Sequence, residues 1–203
     1  MPASYFSNFP YVGYSLNTSQ TPGEFELATD IFRRTAPVSN LVKNQKLFYD
    51  YEIADGETPE IIADSQYGST NYHWVVTLLN TIIDPLLDWP KNYANLVLYL
   101  NDKYGSIAVA SSQIHHYTMT ETKVDSAGYT STFTTIIDQE KYDSLTSLVP
   151  VVYTFASGGT VTVTTTRASV DCYTYEVELN DSKRIIKLLK PEYLPQIVAE
   201  LEN

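Results

Sequence analysis

The residues whose types invite chemistry are few: adjacent His115 and His116, a separate His73, and the carboxylates Asp84 and Asp88. The stretch 114–122 reads as a strand, which sends neighbouring side chains to opposite faces, so His115 and His116 are not expected to share a metal ion. No cysteine or carboxylate stands two residues away to complete a ligand set. His73 precedes Trp74 in a helical run and reads as a packing residue. Asp84 and Asp88 would suit an acid/base pair on a helix, but Pro85 and Pro90 make the stretch irregular, and Asp-Pro is a turn signal. No Ser-His-Asp or Cys-His arrangement can be assembled, and the Gly-rich phosphate and dinucleotide loops are absent. The expectation is therefore no catalytic residue, no cofactor and no metal: a chain that is not an enzyme.

Residues that could bind are easier to find. Lys183, Arg184, Lys187 and Lys190 put four of the thirteen basic residues into eight positions. In a chain of net charge −11 they suit a docking edge for an acidic neighbour, as does the pair Arg33-Arg34, because guanidinium forks hold carboxylates bidentately. The plainer reading is a solvated strand edge kept from aggregation by lysine. Trp74 and Trp89 complete the candidate partner-binding set.

The elements that would position these residues are best marked between 48 and 90. Residues 48–53 alternate apolar and charged side chains, the pattern of a half-buried strand. Asp55-Gly56 ends it in a turn. Thr58 can cap a helix that begins at Pro59, where a missing N–H costs nothing, and Glu60 faces the positive helix end. Ile62 and Ala63 supply its buried side, and Gly68 is placed for a left-handed C-cap. A second helix starts at Ser69 or Thr70, with Trp74, Val75, Leu78 and Leu79 on one face and Asn80 closing it. Asp84-Pro85 then turns the chain into a last extended piece ending at Trp89-Pro90.

Gly56-Glu57-Thr58, Ile62-Ala63, Tyr67-Gly68, Asn80 and Asp84-Pro85 resemble the signature of the LysM βααβ module. The first helix is one residue longer than that module's usual spacing, and Pro59-Glu60 replaces its usual apolar pair. Those departures, with Trp74-Val75-Val76, Asp88-Trp89-Pro90, the upstream run 29–34 and the downstream run 183–193, are similar to the small wedge subunit of contractile-tailed, T-even-type bacteriophage baseplates, baseplate wedge protein fifty-three. The likeness covers roughly 29–105 and 172–202. It implies a structural protein of the virion tail baseplate, assembled in the host cytoplasm in multiple copies around a ring and joining neighbouring wedge subunits through contacts with other wedge proteins. The alternative implied by the LysM signature alone is a peptidoglycan or N-acetyl-glycan binding module. That module needs open, hydrogen-bonding loops after Gly56 and before Asp84, where Pro59 and Ile82-Ile83 stand instead.

Composition is that of a globular chain. Hydrophobic residues make up 43% of 203, enough for a sizeable core. The net charge of −11 argues against a nucleic-acid backbone or an anionic membrane as partner. Seventeen tyrosines suit interface cores or simply strands. The lone Cys172 builds no disulfide framework and fits a reducing compartment. The first residues carry no secretory pattern, and the longest apolar stretch, 74–89, is too polar to span a membrane.

Along the chain, four parts are expected in an α+β protein. Residues 1–47 form an arm and short helix. Residues 48–105 form the LysM-like βααβ unit and a following helix, 93–104, stopped by Gly105. Residues 106–171 form a β-rich insertion, with hairpins 114–122/129–137 and 149–156/160–167 and a short helix at 138–148 between them. Residues 172–203 form a last hairpin, 173–179/183–189 turning at Asn180-Asp181, and a helix with Leu194, Ile197, Val198 and Leu201 on one face.

Overall fold

The computed structural model describes residues 5–14, 26–32, 44–146 and 148–201. In chain order its elements are β1 (Tyr11–Tyr14), β2 (Glu26–Thr29), β3 (Phe48–Glu52), α1 (Pro59–Tyr67), α2 (His73–Leu79), α3 (Pro85–Asp88), α4 (Tyr93–Tyr104), α5 (Ile107–Ser112), β4 (Ile114–Asp125), β5 (Thr130–Ile137), α6 (Gln139–Ser144), β6 (Val151–Thr154), β7 (Thr160–Asp171), α7 (Cys172–Ser182), β8 (Ile185–Leu189) and α8 (Leu194–Leu201). It is an α+β protein with small antiparallel sheets. Two compact units divide it: Met1–Asn92 with Asp181–Asn203, and Tyr93–Asn180.

In the first unit, β3 pairs antiparallel with β8, from Phe48↔Leu189 to Glu52↔Ile185. Capping chemistry sets the helices beside this sheet. Thr58 Oγ1 accepts the Ile61 N–H at 3.4 Å, Pro59 opens α1, and Gly68 at φ 73° closes it by donating to Asp64 O. Ser69 caps a 3₁₀ turn, Thr70–Tyr72, that leads straight into α2. Ile53, Ile62, Ala63, Val76, Trp89, Ile186 and Leu188 form one buried cluster; Phe48, Trp74, Val75, Leu79, Leu189, Leu194 and Ile197 form another. The C-terminal helix therefore packs through Leu194 and Ile197, as its spacing requires. β1 and β2 form a separate two-stranded sheet, Tyr11↔Thr29 to Tyr14↔Glu26, that the residues had not suggested.

Two expected elements are corrected. The piece before Trp89-Pro90 is not a strand: Pro85–Asp88 is a helical turn, because Asp84 caps it by accepting the Leu86 N–H and Pro85 occupies its first position. The partner of β3 comes instead from the far end of the chain. The expected hairpin 173–179/183–189 does not form either, since Cys172–Ser182 is helical. Alternating Tyr173, Tyr175, Val177 and Leu179 imitate a strand, while the residues the helix buries, Cys172, Glu176 and Asn180, recur every fourth position but are mostly polar. Hydrophobic periodicity cannot see such a stripe.

The second unit carries a four-stranded antiparallel sheet of order β5-β4-β7-β6, with both expected hairpins present. Their turns use Gly128 at φ 87° and Gly158 at φ 86°. α6 is capped by Asp138, whose Oδ1 accepts the Lys141 N–H at 2.7 Å. The two sheet faces differ. Thr118, Thr120 and Thr122 of β4 share one face with Thr130, Thr132 and Thr134 of β5 and Thr162, Thr164 and Thr166 of β7. The opposite face carries Glu121, Lys123, Phe133, Tyr153, Val161 and Val163. Tyr142 covers part of it, its ring tilted against Tyr117 at 4.4 Å and facing the Arg167 guanidinium.

Candidate interaction site

Three side chains hold the β3–β8 pair in place. Asn80, at the end of α2, donates through Nδ2 to Val76 O at 2.8 Å and Lys187 O at 2.9 Å, and accepts the Lys187 N–H through Oδ1 at 2.8 Å. The Tyr67 hydroxyl donates to Leu189 O at 3.0 Å, and burial pushes its pKa well above the ordinary phenol value. Arg184 donates to Asp55, Asp181, Ile53 O and Lys91 O. Burial lowers its pKa, but the two carboxylates outweigh that and raise it.

A groove of about 570 Å³ opens between the start of α1 at Thr58–Glu60 and the segment Ile82–Pro85 that leads into α3. Trp74 and Trp89 line it, and Tyr5 and Phe6 of the N-terminal segment lie along it, Tyr5 with its ring 5.4 Å from Trp74. Most polar groups beside it are committed to the fold. Thr58 caps α1, the Thr77 hydroxyl donates to Trp74 O at 3.2 Å, and His73 Nδ1 lies 3.0 Å from Thr70 O. Glu60 is raised by burial, but hydrogen bonds from Thr58 and its own N–H hold it below the usual carboxylate value. Beside the groove, Ile83, Leu86 and Leu87 are 79%, 82% and 63% exposed. The α3 turn that presents them is fixed by Lys91 Nζ on Leu86 O at 3.1 Å and Lys183 Nζ on Leu87 O at 2.6 Å.

The residues singled out for binding fall into different places. Trp74 and Trp89 are 6% and 8% exposed, and the Trp89 indole N–H donates to Glu57 O at 2.8 Å. Lys183 and Arg184 hold the unit together through the contacts above. Lys187 reaches Asp50 at 3.1 Å across the sheet, both side chains being largely exposed. Lys190 is half-buried at the end of β8, donating its N–H to Leu47 O. Arg33 and Arg34 lie outside the described residues. The apolar turn at Ile83–Leu87 was missed by sequence reasoning. Its signal was present: a run of aliphatic residues between prolines, with no periodic partner stripe.

The chemistry-bearing residues are structural in their contacts. Asp84 caps α3, and Asp88 Oδ2 accepts the N–H groups of Ile83 and Asp84 at 3.0 Å each, which holds its pKa below the usual carboxylate value. The histidine pair requires a correction: a bulge between Ile114 and His116 breaks the alternation, so the two rings meet, Nδ1 to Nδ1 at 2.9 Å, with His115 stacked 3.7 Å above Tyr175. Among the described residues no third histidine, cysteine or carboxylate joins them, and no helix is long and apolar enough to cross a membrane. The arrangement as a whole supplies surfaces and internal locks.

The family described as Base plate wedge protein 53 matches residues 1–142. No match was found among curated proteins.

Proposed function

Since the chain belongs to the base plate wedge protein 53 family, a non-enzymatic structural family of the phage tail baseplate that associates with other baseplate proteins, we propose that it joins neighbouring wedges into the baseplate ring. The observation that carries this reading is the exposed apolar turn Ile83, Leu86 and Leu87 on a backbone pinned by two lysines. Contiguous exposed apolar side chains on a rigid turn are the mark of a protein–protein contact. On this reading β3, α1, α2 and β8 form a LysM-like docking block whose last strand arrives from the end of the chain. Lys187 and Lys190, with Arg33-Arg34, add a basic contact for an acidic neighbour. Several small contacts on one subunit reinforce one another through effective concentration, so a ring of many copies is stable although each contact is weak.

The test is co-expression with the other wedge proteins, followed by sizing and electron microscopy. Leu86→Asp with Leu87→Asp, and separately Lys187→Glu with Lys190→Glu, should leave single wedges intact and reduce their closure into rings. Normal ring yield with both double variants would refute the proposal. The glycan reading draws on the groove of the LysM-like block. Its polar groups are largely committed to capping, which leaves little to recognise a sugar; retention on peptidoglycan, lost on filling the groove with Thr77→Trp, would revive it.

A further inference from the structure

We propose that His115 and His116 together bind one divalent transition-metal ion, of the class of Ni²⁺ and Cu²⁺, through their two Nδ1 atoms. The inference concerns the second unit alone and does not rest on wedge joining.

Strand alternation, which would part the two rings, fails at this point of β4. The β4–β7 ladder pairs Ile114 with Asp171 and His116 with Val170, so His115 is an extra residue on β4. A bulge of this kind re-aims a side chain, and bulges gather beside functional sites. Here the bulge brings the ring of His115 round to that of His116, and the two Nδ1 atoms stand 2.9 Å apart.

Both rings are held in place by a third. His115 lies flat against Tyr175 of α7, the ring centres 3.7 Å apart and the planes 9° from parallel. His116 stands edge-on to both, at 86° to each. Ligands already fixed by packing lose little freedom when an ion arrives. His115 is exposed and His116 half-buried, so the pair is open to an ion from solvent.

The spacing selects the ion. Two nitrogens, each about 2.0–2.1 Å from a metal, are about 2.9 Å apart across a right angle and about 3.4 Å apart across a tetrahedral one. The observed 2.9 Å fits the right angle. That is the cis geometry of tetragonal Cu²⁺ and Ni²⁺, and not that of tetrahedral Zn²⁺. Without an ion, so close an approach needs one Nδ1–H to donate to the other Nδ1. With an ion, both Nδ1 atoms coordinate. The donor ring's proton moves through water to its own Nε2, so two neutral rings bind with no net loss of a proton.

Charge favours a cation. The chain carries −11, which raises the local concentration of positive ions. Asp171 ends β7 opposite Ile114, one residue from the pair. Its carboxylate is already engaged by the Thr174 N–H and hydroxyl at 2.8 and 2.9 Å, and among the described residues no third ligand joins the histidines. Water therefore fills the remaining positions of the ion.

The experiment titrates the untagged full chain with NiCl₂ by calorimetry and with CuCl₂ by electron paramagnetic resonance. One Ni²⁺ per chain is expected, and a Cu²⁺ spectrum split by two imidazole nitrogens. His115→Gln and His116→Gln should each weaken Ni²⁺ at least about tenfold, since even groups behind a ligand are worth about 10–100-fold. Each should also leave the Cu²⁺ spectrum with one imidazole nitrogen. Circular dichroism checks both folds; should His116→Gln unfold, His115→Gln, altered only in an exposed side chain, carries the test. His73→Gln removes the remaining histidine, in the first unit, and should change neither readout. Tyr175→Phe should bind as the natural chain does and Tyr175→Ala more weakly, which reads the ring's positioning of His115. No saturable Ni²⁺ binding up to about 1 mM, binding indifferent to His115→Gln, or Zn²⁺ held more tightly than Ni²⁺ would each overturn the proposal.

Discussion

Replacing Asn80 should unfasten β8 from α2. Its amide makes three hydrogen bonds of 2.8–2.9 Å, two of them to the backbone of Lys187, 107 residues away in sequence. A protein hydrogen bond contributes about 1 kcal/mol net, and Asn80 is half-buried, so Asn80→Ala should cost about 2–3 kcal/mol. Asn80→Asp is the sharper test. It keeps the shape and the acceptor for the Lys187 N–H, but replaces the donor with a carboxylate oxygen facing the carbonyls of Val76 and Lys187. It should therefore cost at least as much as alanine. Both tryptophans of the chain, Trp74 and Trp89, are buried in this unit, so intrinsic fluorescence in urea reports its unfolding directly. With slopes of about 1–3 kcal/mol/M for small proteins, the midpoint should fall by about 0.7–3 M for either variant. An Asn80→Asp protein within about 0.5 kcal/mol of wild type would show that the amide bridge does not hold the strand, and the reasoning would fail.

Other perturbations separate the two units. In the second, burial would raise the Glu176 carboxyl, but Lys103 Nζ at 2.6 Å and the Tyr104 hydroxyl at 2.9 Å hold it below the ordinary value. Its stabilisation is then fully present above the usual glutamate pKa of about 4.3 and is lost as pH falls through the lower folded value. Glu176→Gln should flatten that acid limb, read by hydrogen exchange in α7, and cost about 1–2 kcal/mol at neutral pH, since Lys103 is partly solvent-screened. Gly68→Ala should cost about 1 kcal/mol through backbone strain alone, because φ is 73° and an added Cβ meets nothing within 4 Å; chemical denaturation followed by tryptophan fluorescence reads it. Arg184→Ala should cost about 2–3 kcal/mol by the same measurement, and Arg184→Lys should recover little, because one ammonium cannot span four acceptors.

What could be read from the residues was local. Thr58, Pro59 and Gly68 marked both ends of α1 because caps act within one turn. The two glycine turns of the second sheet likewise marked its hairpins. Asn80 was identifiable as a helix-closing residue, but its second role, the backbone of Lys187, lies too far away in sequence for any local rule. The same limit hid the partner of β3: a strand states which face is buried and not which strand lies beside it. The histidine pair failed for a different reason. Alternation holds only while the ladder is regular, and the bulge at Ile114/His116 breaks it. The candidate surface was only partly legible, because a basic side chain that binds its own fold and one that awaits a partner look alike in a string of letters.

Arg184 shows how the discontinuous first unit tolerates a whole second unit inserted between its helices and its last strand. The chain leaves the first unit after Asn92 and returns at Asp181. Arg184 donates both to Lys91 O at 3.4 Å and to Asp181 Oδ1 at 3.1 Å, so departure and return are clamped to one side chain. It also reaches Ile53 O at 3.3 Å and Asp55 Oδ1 at 3.2 Å, where β3 ends. An insertion whose two ends are pinned side by side imposes little strain on its host, and loop-closure entropy grows only slowly with the length between them. The two ends of the insertion are thus fixed by the same side chain that holds the end of β3.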